Sequence, residues 1–233
     1  MKTLVRIGKA LAFLTTLYTA GLACGIAMRV LERNGKIIVQ GREYLSGHAG
    51  GTLIVSNHPS LLETILLPLL YFPQFLLHPF LTFPWSTPDR KNFMSKWYFR
   101  LFTHTRMIFV DRDSPNPATN MRVIRSIISV LWAKGTVILF PEGGRTFKRP
   151  LKVVSQKNKE LGTLSRSVEC ILRNARSTVI PVWVEGCDRA LPPGKYLPRF
   201  TEGPVIIKIG APIHERVSAE YLQHTLLKIA DEV

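Results

Sequence analysis

Thr136-Val137-Ile138-Leu139-Phe140 opens directly into Pro141-Glu142-Gly143-Gly144-Arg145-Thr146. A short apolar run without alternation reads as a strand buried on both faces, the kind found in parallel sheets with helical connections. The polar loop that follows falls where the carboxyl ends of such strands leave a ligand crevice. The same grammar recurs outward from this point. Thr52–Ser56 (TLIVS) follows Gly50-Gly51 and ends in Asn57-His58-Pro59. Residues 36–40, 107–110, Thr178–Glu185 and Val205–Ile209 are further strand candidates, and Pro181 puts its strand at a sheet edge or a bulge. Between them lie helical stretches. Ser60 leads into one over 61–67. Asn116-Pro117 reads as an N-cap with Pro at the first helical position, Ile124, Ile127 and Leu131 follow at helical spacing, and Gly135 is the expected stop. Residues 164–176 and 218–230 are two more helices, and the basic 147–159 segment reads as a loop. The alternation predicts an α/β fold with a largely parallel sheet flanked by helices.

The chain has 233 residues and a net charge of +15, enough for one domain with a proper core. A hydrophobic content of 46% is too apolar for a disordered coil, and three unpatterned cysteines do not make a disulfide scaffold. High apolarity combined with high positive charge suits a surface facing anionic lipid. Nucleic acid is not an expected partner, because the basic residues form no single run and no base-reading pattern.

Residues 10–28 carry no charge and reach roughly 28 Å as a helix, close to one span of a hydrocarbon core. A membrane anchor, spanning or lying shallowly, is the preferred reading. A signal peptide and a buried core helix are the alternatives. The expected organisation is an N-terminal hydrophobic membrane anchor over 1–35 and a catalytic domain over 36–233. Residues 64–85 also lack charge, but Pro68, Pro73, Pro79 and Pro84 interrupt them. Short broken helices follow, either packed as core or lining a membrane-facing or acyl-chain surface.

No G-x-S-x-G elbow, nucleotide-binding glycine loop, H-E-x-x-H or paired C-x-x-C occurs, so no metal or bound cofactor is expected. What the strand ends do carry is one histidine, carboxylates and arginines. His58 suits a general base near neutral pH. Glu63, five residues on, meets it only if His58 sits on the incoming loop and Glu63 in the first helical turn. Ser60-x-x-Glu63 is also a capping box, so Glu63 has two candidate tasks. Glu142, Gly143, Gly144, Arg145 and Thr146 form a loop able to approach a phosphate closely, with Arg112 a second clamp.

His58-x4-Glu63, Phe109-Val110-Asp111-Arg112, Phe140-Pro141-Glu142-Gly143-Gly144-Arg145 and Val179-Ile180-Pro181-Val182 resemble the four ordered blocks of the glycerophospholipid acyltransferase family. The nearest type is bacterial 1-acylglycerol-3-phosphate acyltransferase, and the resemblance covers residues 36–213. It implies that His58 is the catalytic base and Glu63 its orienting acid, where the family usually has Asp. It implies that Arg112, Glu142 and Arg145, with Gly143, Gly144 and Thr146, bind a phosphorylated acceptor, and that Pro181 shapes the acyl site. The co-substrate would be acyl-CoA or acyl-ACP, the acceptor a lysophospholipid, and the location the cell membrane with the site facing the cytoplasm. A different lysolipid acceptor, or a non-catalytic lipid-binding protein on the same fold, is the alternative reading.

Overall fold

The computed structural model describes residues 2–46, 50–94, 105–111 and 116–232. Its centre is a six-stranded sheet of β1 (Ile37–Gln40), β2 (Thr52–Ser56), β3 (Trp85–Ser86), β4 (Thr136–Leu139), β7 (Thr178–Glu185) and β8 (Val205–Ile209). The spatial order is β1-β8-β7-β2-β4-β3, and β5 (Lys152–Val154) and β6 (Glu160–Gly162) form a separate hairpin. Strands β3, β4, β2 and β7 are parallel, β8 is antiparallel to β7, and β1 follows β8.

Helices cover both faces, and this explains why the strands do not alternate. Ile54, Ile138 and Ile180 enter one core, whereas Leu53, Val55, Val137, Leu139 and Val179 enter the other. The first core is closed by α1 (Lys2–Thr16), α2 (Leu22–Arg33), α3 (Glu63–Leu69) and α4 (Gln74–Leu77). The short α5 (Pro79–Thr82) continues that layer, and α6 (Arg90–Met94) follows β3. The second core is closed by α7 (Pro117–Trp132), α8 (Arg166–Ala175) and α10 (Ala219–Asp231), while α9 (Cys187–Ala190) turns the chain after β7. Asn116 caps α7 by accepting from the Ala118 N–H at 2.9 Å, and Ser218 caps α10 by accepting from the Tyr221 N–H at 3.1 Å.

The N-terminal helix runs from α1 through a π-turn at Leu17–Gly21 into α2. It is long and apolar enough over Arg6–Arg33 to cross a membrane. One of its faces is nevertheless committed to the protein. Phe13, Leu17 and Met28 are buried, and a Cβ at Gly25 would lie 2.3 Å from the Phe72 ring. The Tyr18 hydroxyl donates to the Leu76 carbonyl (2.7 Å), and the Arg29 guanidinium donates to the Phe72 carbonyl (2.6 Å). The proline-broken segment is therefore divided. Leu66, Leu67, Leu69, Leu70 and Phe75 are core, whereas Leu77, Phe80 and Leu81 are exposed, as are Leu4, Ile7 and Leu11 of α1.

Several local expectations change. Residues 107–110 make only two isolated bridges, Ser86↔Met107 and Asp89↔Val110. Pro88, having no N–H, accepts from the Val110 N–H but cannot donate back, which interrupts the neighbouring ladder. The helix after His58 begins at Glu63 rather than at residue 61. The left-handed residue ending α7 is Lys134 (φ 61°), not Gly135, and Arg176 (φ 47°) does the same after α8. Such a conformation costs a non-glycine residue roughly 1–2 kcal/mol. The basic 147–159 segment carries strand β5 and the turn of the hairpin. Its tether is distant: Asp231 accepts from the Ser155 hydroxyl (2.6 Å) and the Gln156 N–H (2.9 Å). Pro181 sits not at an edge but in a central strand, level with Val55. The Gly210 N–H donates to its carbonyl (2.8 Å) where β8 has just ended, so the missing donor faces a point where the ladder stops.

Candidate active site

Strand β2 ends at Ser56, and Asn57 locks that end to β7. The Asn57 amide donates to the Val184 carbonyl (2.8 Å) and accepts from the Val184 N–H (2.7 Å). His58 therefore leaves the sheet from a fixed point. Its ring stacks on Phe140, the last apolar residue of the β4 run, with centroids 4.4 Å apart and planes at 23°. Pro59 breaks the chain before α3, which places Glu63 at that helix's first residue. In this geometry a spacing of five brings the pair together, and His58 Nδ1 hydrogen-bonds Glu63 Oε1. Among the described residues nothing hydrogen-bonds Nε2.

Glu63 is fully buried. The Ser60 N–H lies 3.2 Å from both carboxylate oxygens, and the Ser60 hydroxyl donates to Oε2 at 3.3 Å. Ser60 Oγ in turn accepts from the Leu62 N–H at 3.0 Å. The capping contact and the histidine contact thus coexist on one carboxylate. Asp111, in the next block, makes no hydrogen bond or ion pair with His58 among the described residues.

Glu142 is also fully buried, and it faces inward. Oε1 accepts from the His58 N–H (2.8 Å) and the Thr146 hydroxyl (2.8 Å), and Oε2 accepts from the Gly162 N–H (2.7 Å). The Thr146 N–H donates to the His58 carbonyl (2.9 Å), closing a ring between the two loops. Burial pushes the Glu142 carboxyl above its ordinary range, and these hydrogen bonds together with the nearby imidazole oppose that. Glu142 and Thr146, expected at the substrate, join the histidine loop to the glycine loop. Gly162 was not legible as part of the site. A Cβ there would lie 2.6 Å from Glu142 Oε2, so glycine is required 20 positions downstream of the residue it serves.

An isosteric substitution tests this clamp. Glu142→Gln keeps one acceptor oxygen but turns an amide donor toward the Gly162 N–H or toward His58 and Thr146. One buried donor is then left unpaired, which costs about 1–3 kcal/mol. The unfolding midpoint in urea should drop accordingly. An unchanged midpoint would show that these oxygens do not hold the loops.

Gly143 takes φ 69°, with open space where a side chain would stand. Gly143, Gly144 and Arg145 are each partly exposed at the loop surface. The Arg145 guanidinium lies over the Phe147 ring, 5.1 Å from its centroid, and pairs with no carboxylate among the described residues. Arg112 lies outside the described residues. Pro181 is not brought to the others, because it sits in the middle of the sheet on the face turned toward α10, beside Gly210 and Ile229. Cys187 is buried close to Glu63. Burial first, and then the charge on Glu63, push its thiol far up, so it stays protonated.

What the arrangement offers is an imidazole with one nitrogen held by a carboxylate and, among the described residues, the other free, next to a glycine-arginine loop. That combination can take a proton from a hydroxyl while an anionic group is held nearby. The family whose model is described as Acyltransferase matches residues 36–185, which run from β1 through β7. No curated protein matches the chain. Among solved structures, the crystal structure of the 1-acyl-sn-glycerophosphate (LPA) acyltransferase PlsC from Thermotoga maritima is similar at 20% identity. The likeness covers 98% of this chain and 97% of that one, with a TM-score of 0.53, and it concerns the fold.

Proposed function

The chain belongs to the acyltransferase family, and we propose that it moves an acyl chain from an acyl thioester, acyl-CoA or acyl carrier protein, to the free hydroxyl of a lysophospholipid. The acceptor we infer is 1-acylglycerol-3-phosphate, giving phosphatidic acid. The observation that carries this reading is the buried His58–Glu63 pair with its free Nε2, set against the Gly143-Gly144-Arg145 loop.

In this reading His58 Nε2 removes the acceptor's hydroxyl proton as the oxygen attacks the thioester carbonyl. Glu63 holds the Nδ1 proton and stabilises the imidazolium. The carbon–sulfur bond breaks, and the imidazolium returns its proton to the departing thiolate. Transfer is direct, and a Cys187 thiol kept protonated and buried fits that. Arg145 receives the acceptor's phosphate, and Arg112 is a second candidate for it. Glu142 and Thr146 act as positioning residues. The exposed Leu4, Ile7, Leu11, Leu77, Phe80 and Leu81 suit a shallow seat in the bilayer, with a +15 net charge drawing the protein to anionic lipid.

A panel of lysolipid acceptors with one acyl-CoA, read by mass spectrometry, tests the proposal. The phosphomonoester acceptor should be converted fastest, and no acyl transfer to any lysolipid would overturn the reading. Arg145→Ala should raise the KM for the phosphorylated acceptor by about ten- to a hundredfold, the value of one charge-assisted contact, with little effect on the thioester. Equal losses for both substrates would mean that the loop had collapsed.

A further inference from the structure

A second cleft opens at the opposite end of the sheet from His58, where β2 and β7 begin and α7 and α8 end. It encloses about 620 Å³ and is lined by Trp132, Lys134, Arg173, Arg176 and Arg216. Among the described residues no carboxylate lines it.

Two observations separate this cleft from ordinary basic surface. The first is in the backbone. Three non-glycine residues among those described take positive φ: Lys134 (61°), Asn158 (59°) and Arg176 (47°). Asparagine tolerates that region, whereas lysine and arginine do not favour it. Lys134 and Arg176 occupy the turns that end α7 and α8, where glycine is the usual left-handed residue. Both strained cations line this one cleft. Strain retained at two such positions points to a task for the side chains.

The second observation is charge. Each helix C-terminus presents about half a negative charge, and Glu169 holds Arg173 at 2.7 Å. Together these answer about two of the four cations, so a surplus of roughly two positive charges faces the cleft. Its wall includes an aromatic face. Trp132 is 67% exposed, yet its indole N–H donates to the Asn174 carbonyl at 3.2 Å, which fixes the ring in place.

We propose that this cleft binds a nucleoside polyphosphate or a molecule of the same chemistry. Phosphates would lie on Lys134, Arg176 and Arg216, and a flat ring would lie against Trp132. Guanidinium forks suit phosphate oxygens, indole faces suit planar rings, and the volume is that of a small-ligand site. The proposal does not depend on the acyl-transfer reading. Strand β2, roughly 17 Å long, separates the cleft from His58. Helices α7 and α8 also lie on the face of the sheet opposite the N-terminal helix, which favours a soluble ligand over a lipid headgroup.

The full chain in detergent, titrated at constant ionic strength with ATP, tripolyphosphate and vesicles containing phosphatidic acid, tests this. ATP should quench tryptophan fluorescence saturably, and both soluble phosphates should raise the melting temperature. Lys134→Gly and Arg176→Gly should melt at or above the wild-type temperature, because glycine relieves the backbone, yet each should bind ATP at least tenfold more weakly. Trp132→Phe should lose the quenching while keeping the response to tripolyphosphate. Acyl transfer from an acyl carrier protein donor, with no nucleotide present, should be unchanged in Lys134→Gly. A wild-type chain with no saturable response, or a double glycine variant that binds as well as wild type, would overturn the proposal. Binding to phosphatidic acid vesicles without binding to either soluble phosphate would overturn it in favour of a lipid headgroup.

Discussion

His58→Ala should lower kcat for acyl transfer by roughly 10²–10⁴-fold, the contribution of a positioned general base. The acceptor's KM should change little, because Arg145 is untouched. The loop should persist, since its anchors are main-chain groups that alanine retains: the His58 N–H donates to Glu142 and its carbonyl accepts from Thr146. Alanine does remove the ring that stacks on Phe140 and leaves Glu63 without its Nδ1 partner. Some stability is therefore lost, and the rate loss must be separated from it. His58→Asn does this, because its amide still offers a donor toward Glu63 but has no basic nitrogen. Both variants should be equally inactive at a temperature where both remain folded by circular dichroism. A near-normal rate in either would remove His58 from the chemistry and overturn the proposed mechanism.

The parts of the fold that sequence made legible are those whose signal is local. Thr52–Ser56 and Thr136–Leu139 announce buried parallel strands because helices cover both of their faces, so Leu53, Ile54 and Val55, and Val137, Ile138 and Leu139, are apolar without alternation. Asn116 and Ser218 announce helix starts because a cap needs only its neighbours. Contacts between distant segments left no such local signal. The strands of the β5–β6 hairpin, Lys152–Val154 and Glu160–Gly162, are three residues each, too short to show a pattern, and Asp231, far along the chain, ties down the turn between them. Glu142 reads as a ligand group because a carboxylate in a glycine loop suits one. Its Gly162 partner follows 20 residues later with no pattern to mark it. Pro181 reads as an edge residue because local rules cannot see β8 ending beside it. The N-terminal helix is long and apolar enough to cross a membrane, as its hydropathy says, but hydropathy counts apolarity and not direction, so its packed face goes unread. The signal for its packed face was present as Phe13, Leu17, Gly21 and Gly25 at intervals of four, a stripe whose small residues admit Phe72 and Phe75.

Glu63 combines the two tasks that its sequence context left open, and substitutions separate them. Glu63→Gln keeps an oxygen that can accept from the Ser60 N–H, so the start of α3 should survive and the unfolding midpoint should move little. The same change presents either a weaker acceptor or an NH₂ group to His58 Nδ1. It loses the negative charge that stabilises the imidazolium, and it allows the tautomer with the proton on Nε2, where the base must be free. The expected result is a loss of roughly 10²–10⁴ in kcat with the fold intact. Glu63→Asp should retain more activity, since the charge remains and only one methylene of reach is lost. Ser60→Ala should behave in the opposite sense. The Leu62 N–H loses its acceptor and Glu63 loses one donor, so about 0.5–2 kcal/mol of stability should go while kcat falls far less than in Glu63→Gln. The decisive measurement is the double variant. If Glu63 acts only through the imidazole, adding Glu63→Gln to His58→Ala should cost no further activity, because residues that act as a unit fail together. A multiplicative loss would mean that Glu63 serves the reaction independently of His58. Wild-type turnover in Glu63→Gln alone would reduce it to a helix cap.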